Sequence, residues 1–211
     1  MNKLLFVAVG WLCALNALLA MSVKQPTFEQ LVGRAEQIVR AEVLDTRCVF
    51  KGEGADRRIV TLVKLRVEKV IVGEAPAEME IELLGGQVGD EALEVAGMTK
   101  FQKGDRDILF VAGNGKLFCP LVAVNHGRFL LVPNEGREGE TVARSDARPL
   151  RSVAEISTPV GEPALRGAAT AGGAAAGVTA LSEAMSLEQF EASIIECAKA
   201  LKKGVPGSAA K

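Results

Sequence analysis

The stretch from Arg58 to Ile71 constrains the fold more than any other part of this chain. Ile59, Thr61, Val63, Leu65 and Val67 alternate with Lys64, Arg66 and Glu68, the period of a strand with one buried face. The run is long for a strand, and its alternation breaks at Glu68-Lys69 before Val70 and Ile71. A bend or bulge is therefore predicted there. Long bent strands are how small barrels turn corners.

The flanking segments keep the same period. Val39, Ala41 and Val43 alternate with Arg40 and Glu42, and Met79, Ile81 and Leu83 with Glu78, Glu80 and Glu82. Gly85-Gly86 and Gly89 end the second of these runs. Leu93 and Val95 form a short strand, Gly97-Met98 a turn, and Phe101 with Lys103-Gly104-Asp105 leads into Ile108 to Ala112, whose apolar run suits a strand buried on both faces. Asn114-Gly115 predicts a hairpin into a strand at Lys116 to Cys119. Pro120 marks an edge or bulge. Leu121 to Val124 and Phe129 to Val132 flank a second hairpin turn at Asn125-His126-Gly127, and Glu140 to Arg144 adds a weak strand. About seven or eight short strands with turn signals between them predict a mainly β protein, a small antiparallel closed β-barrel of OB-like type.

The two ends read differently. Lys3 followed by the apolar run Leu4 to Ala20 has the layout of a secretory signal peptide, with cleavage after Ser22 or Ala20; an uncleaved anchor is the alternative. Export makes the protein secreted or periplasmic, with no membrane association once the signal is removed. Thr27-Phe28-Glu29-Gln30 fits a capping box, and Phe28, Leu31, Val32 and Ala35 predict a short helix to about Ala35. Past Leu150 the composition shifts to the small residues of 167–177, a flexible linker. Ser186-Leu187-Glu188-Gln189 is a second capping box before the stripe Leu187, Phe190, Ile194, Cys197, Ala198 and Leu201. That C-terminal amphipathic helix either docks on the barrel or serves as a tethered peptide for a partner. The expected division is signal 1–22, barrel domain 23–150, linker 151–182, helix 183–203 and tail 204–211.

Composition removes several functions. Trp11 is the only tryptophan and there is no tyrosine, so the stacking surfaces typical of sugar, single-stranded nucleic acid and protein hot-spot sites are disfavoured. A formal charge of −1 with mixed signs provides no field for a phosphate backbone, and no nucleic acid partner is expected. Glu78, Glu80 and Glu82 lie on one strand face without the flanking oxygens of a cation shell. One histidine and scattered cysteines match no zinc spacing, and no phosphate-loop or nucleophile-elbow motif occurs. Neither a metal nor a cofactor is expected.

Cys48, Cys119 and Cys197 lie beyond the signal segment. In an oxidising compartment Cys48 and Cys119 are the preferred disulfide pair, and three unpaired thiols the alternative. Cys119 with His126, the only histidine, could form a nucleophile and base across adjacent strands, giving a small hydrolase as a minor reading. The glycine-rich loop at Gly85 to Gly89 precedes no helix that could cradle a phosphate, so it is read as a barrel corner, with Met98 and Phe101 plugging the base. The exposed rim at Gln87, Asp90 and Glu91 is the candidate binding position.

Several of these residues also form a recognisable order. Thr27-Phe28-Glu29-Gln30-Leu31-Val32 with Ala35-Glu36-Gln37-Ile38-Val39, then Val67-Glu68-Lys69-Val70-Ile71-Val72-Gly73, then Gly85-Gly86, Val95-Ala96-Gly97-Met98, Phe101, Gly104 and Asp107 to Val111, and finally His126-Gly127-Arg128-Phe129 resemble a group of uncharacterised bacterial exported proteins. The resemblance covers about Thr27 to Val132, and departs from the usual pattern at Thr99 for Pro, Asp105 for Glu, His126 for Gln and Val72 for Lys. It implies an OB-type barrel distantly similar to the netrin-like domain of tissue metalloproteinase inhibitors, in a group of which some stand beside secreted metalloproteases. Those inhibitors chelate zinc through an N-terminal cysteine, whereas Val23 or Met21 would begin this mature chain. The functional expectation is an exported non-enzymatic binding or structural protein with an exported protein partner, or a regulator of a secreted protease.

Overall fold

The computed structural model describes residues 25–133, 139–161 and 183–203. The expected signal segment, most of the linker and the tail lie outside the described residues. Helix α1 (Phe28–Arg34) opens on the expected capping box: Thr27 Oγ1 accepts from Gln30 N and Gln30 Oε1 accepts from Thr27 N, both at 3.2 Å. Its Phe28, Leu31 and Val32 are buried, and the chain is already extended at Ala35.

Eight strands follow among the described residues: β1 (Gln37–Lys51), β2 (Arg58–Val72), β3 (Glu78–Leu84), β4 (Gly86–Val88), β5 (Glu91–Leu93), β6 (Arg106–Val111), β7 (Arg128–Pro133) and β8 (Glu140–Arg144). Six form an antiparallel sheet in the order β3-β2-β1-β6-β7-β8, while β4 and β5 make a separate hairpin. The expected bend is present. Arg40 faces Lys69 and Ala41 faces Val67, which leaves Glu68 as an extra, bulged residue. A further shift leaves Leu44 unmatched in β1, and such bulges increase the local twist of long strands.

The fold is mainly β, as expected, but no ladder joins β3 to β8 among the described residues. The free edge of β3 is covered by the turn after β6. Asn114 Oδ1 accepts from Glu82 N at 3.1 Å, Asn114 Nδ2 donates to Glu80 O at 2.7 Å, and Leu84 N donates to Phe118 O at 2.7 Å. This overturns the hairpin expected at Asn114-Gly115. The amides of Lys116 and Leu117 both turn back to Gly113 O, so no strand forms at 116–119. Similarly, Leu121 makes only a bridge to Val111. The second expected hairpin turn is a 3₁₀ turn over Val124–Gly127, entered through left-handed Ala123 and Val124. Gly127 permits it, because a Cβ there would stand 2.6 Å from Val122 O.

Strand β6 is buried on both faces, as its composition predicts. Ile108 and Phe110 face a cluster with Phe28, Leu31, Phe129 and Leu131, while Leu109 and Val111 face Val39, Val63, Ile81 and Phe101. Helix α2 (Leu187–Lys203) closes the first cluster. Its capping box forms between Ser186 and Gln189, and its Phe190 is fully buried, with a ring centroid 4.7 Å from that of Phe129. The helix is thus docked on the sheet. Ile156, in the 3₁₀ turn Val153–Ser157, joins the same cluster, so the packed domain extends past the boundary expected at Leu150.

Candidate functional site

The Gly85-Gly86 pair builds the candidate site. Both residues have positive φ, 104° and 133°, values that L side chains rarely adopt. They fold the β4–β5 hairpin back over the face of β1 and β2. A Cβ on Gly86 would lie 2.6 Å from Cys48 Sγ and 2.7 Å from Thr61 Oγ1. Thr61 Oγ1 donates to Gly85 O at 2.7 Å, and Cys48 Sγ stands 3.5 Å from the same hydroxyl. Between the sheet, the hairpin and the segment that follows lies a cleft of about 440 Å³. Thr46 and Cys48 line it from β1, and Leu93, Val95, Met98 and Phe101 line it opposite; Glu94 and Lys100 are the charged residues of its wall.

One buried cation holds that far wall in place. Arg128, 2% exposed, donates Nε to Asp107 at 2.9 Å and Nη2 to Asp105 at 2.8 Å. Its Nη1 donates to Thr99 Oγ1 at 3.0 Å and to Lys100 O at 2.7 Å. The guanidinium also covers the Phe101 ring, 4.1 Å from its centroid. A buried charge is tolerated only when it is paired and hydrogen-bonded, and here a single arginine ties residues 99–107 to the head of β7. The sequence carried a weak signal for this: Arg128 precedes an apolar strand, and Asp105 and Asp107 precede another. The expectation had Phe101 as the base plug and did not include Arg128.

The three rim residues fare differently. Gln87 lines the cleft, with its Nε2 donating to Gly89 O at 3.1 Å. Glu91 is held by Arg57 through two contacts of 3.2 Å. Asp90 is exposed in the turn between β4 and β5.

The expected disulfide does not form. Cys48, Cys119 and Cys197 are free thiols; Cys48 faces the cleft, whereas Cys119 is buried in the core cluster beside Leu121 and Val111. Burial pushes the Cys119 thiol up, opposed by a backbone bond at Leu121, the reverse of an activated nucleophile. His126 is half-buried, and burial holds it below its ordinary 6.5, with the nearby Arg144 charge adding to the effect. Its ring bonds to the Ile156 backbone. Arg144 in turn donates to the carbonyls of Thr158 and Pro159 at 2.9 and 2.7 Å, so this corner secures the 155–159 turn.

The charged strand faces are also paired. Glu78, Glu80 and Glu82 meet Lys64, Arg47 and Lys51, and among the described residues no cluster of three or more His, Cys, Asp or Glu side chains could hold a metal ion. Glu191 of α2, 5% exposed, is shared by Arg40 and Lys69. Arg40 also contacts Glu68, which Arg106 grips at 2.7 Å and holds below the usual carboxylate range. This chain of alternating charges locks the helix to the bulge in β2. No helix among the described residues is long and apolar enough to cross a membrane. No protein-family model, curated protein or solved structure matches the chain.

Proposed function

We propose that this protein is an exported, non-catalytic binding protein whose ligand site is the cleft between β1 and residues 93–101. The observation that carries the proposal is the cleft itself. Its volume of about 440 Å³ falls within the range of small-ligand sites, its walls are largely apolar with a few polar groups, and its far wall is held by the Arg128 network. Support for a non-catalytic role comes from Cys119, buried with its thiol pushed up, and from His126, engaged with the Ile156 backbone.

An OB-type barrel belongs to the same reading, supported by the bulged, long β1 and β2 and by the bonds of Asn114 and Phe118 to the β3 edge. Native mass spectrometry of the protein purified from its exporting host tests the proposal. A ligand retained by the wild type and lost from Met98→Arg supports it. Steady turnover of an ester or peptide panel that His126→Ala abolishes overturns it.

A further inference from the structure

Strand β1 has two neighbours only over its first part. Its ladder with β6 ends at Glu42, and the last bonds on that side are Val43 N to Asp105 O and Gly104 N to Val43 O, both 2.8 Å. From Asp45 to Phe50 the strand pairs with β2 alone. The chain before Gly104 turns away, since Gln102 N bonds to Asp105 Oδ2 at 2.8 Å and Lys100 O to Arg128. The cleft lies beside this stretch, over the face that Thr46 and Cys48 share with Thr61, with Met98 and Phe101 opposite. The outer sheet edges are treated differently: β3 is covered by Asn114 and Phe118, and β8 by the bridge from Thr141 to Ser186 and the bond from Val142 N to Met185 O.

We infer that the cleft accepts an extended peptide segment as an added strand on β1, from Asp45 to Phe50. This rests on the binding reading above and specifies its ligand. The backbone of β1 supplies the hydrogen-bonding edge, and strand addition is a general mode of peptide recognition. At about 3.3 Å per residue, the open stretch takes a segment of roughly five residues. Thr46 and Cys48 point into the cleft, so alternate side chains of the guest point there too and meet Met98 and Phe101, which demands apolar residues at those positions. Glu94 and Lys100 are exposed, line the same cleft and form no ion pair with another side chain among the described residues. They complement a guest with a cation at one end and an anion at the other.

The probes are acetyl-KTVTE-amide and its reversal acetyl-ETVTK-amide, in which both charges and the central valine share one face, titrated into the purified full chain with amide hydrogen exchange as the structural readout. One peptide is expected to bind at least about tenfold tighter than the other and to protect alternate amides between Asp45 and Phe50. The double variant Glu94→Lys/Lys100→Glu, at two exposed positions, is expected to invert the preference. Cleft binding of anilinonaphthalene sulfonate without peptide-induced protection of β1 overturns strand addition and leaves the binding cleft standing. Absence of both overturns the two readings together. Equal affinity for the two peptides, unchanged by the double variant, overturns the charge assignment.

Discussion

Replacing Arg128 with methionine tests the organisation of the site most directly. The substitution keeps an unbranched apolar stem over Phe101 but removes the donors to Asp107, Asp105, Thr99 and Lys100 O. Asp105 and Asp107, 3% and 1% exposed, then keep their burial without their cation. Breaking a buried ion pair from one side costs about 3–5 kcal/mol, a large share of the total stability of a domain. Reversing the charge problem from both sides costs less: Arg128→Met combined with Asp105→Asn and Asp107→Asn leaves no buried charge and is expected to recover at least about 1 kcal/mol of the loss. Urea unfolding followed by far-ultraviolet circular dichroism measures both, since urea leaves the ionic strength unchanged. A single-variant loss below about 1 kcal/mol, or a triple variant less stable than the single, refutes the assignment of Arg128 as the support of the cleft wall.

Three further outcomes follow from the same contacts. Phe190→Ala is expected to destabilise by about 3–5 kcal/mol, read by urea unfolding, because the ring is fully buried against Phe129, Phe110 and Phe28; a loss near zero would mean that α2 contributes nothing to the core. His126, held below 6.5 by burial, binds fewer protons when folded, so its contribution is complete above pH 6.5 and declines as pH falls from there through the depressed folded value. His126→Gln should flatten melting temperature against pH in that window, and an unchanged profile would contradict the burial argument. Iodoacetamide applied to the native protein is expected to label Cys48 ahead of Cys119, with peptide mapping as the readout; the reverse order, or a Cys48–Cys119 disulfide in the mapped peptides, would contradict the placement of the two thiols.

Much of the local structure was legible in the chain, because its signals are local. Period-two alternation placed β1, β2 and β3, the break at Glu68-Lys69 marked the bulge, and both capping boxes formed between residues three apart. The Asn114-Gly115 turn misled for a physical reason: a turn motif specifies a reversal of the chain, and Asn114 engages the β3 backbone across the fold. The disulfide expectation failed in the same way, since cysteine spacing says nothing about where two thiols face.

The sequence by itself determined the long strands β1, β2 and β3, the strands β6, β7 and β8, the bend in β2 and the amphipathic C-terminal helix, since backbone periodicity and capping act within a few residues. Only the tertiary structure decided that Arg128 pairs with Asp105 and Asp107, that Glu191 reaches Arg40 and Lys69, and that the ladder of β1 with β6 ends at Glu42, short of the cleft residues Thr46 and Cys48. Each joins residues far apart in the chain, and burial and charge select such partners only once the sheet has brought them together.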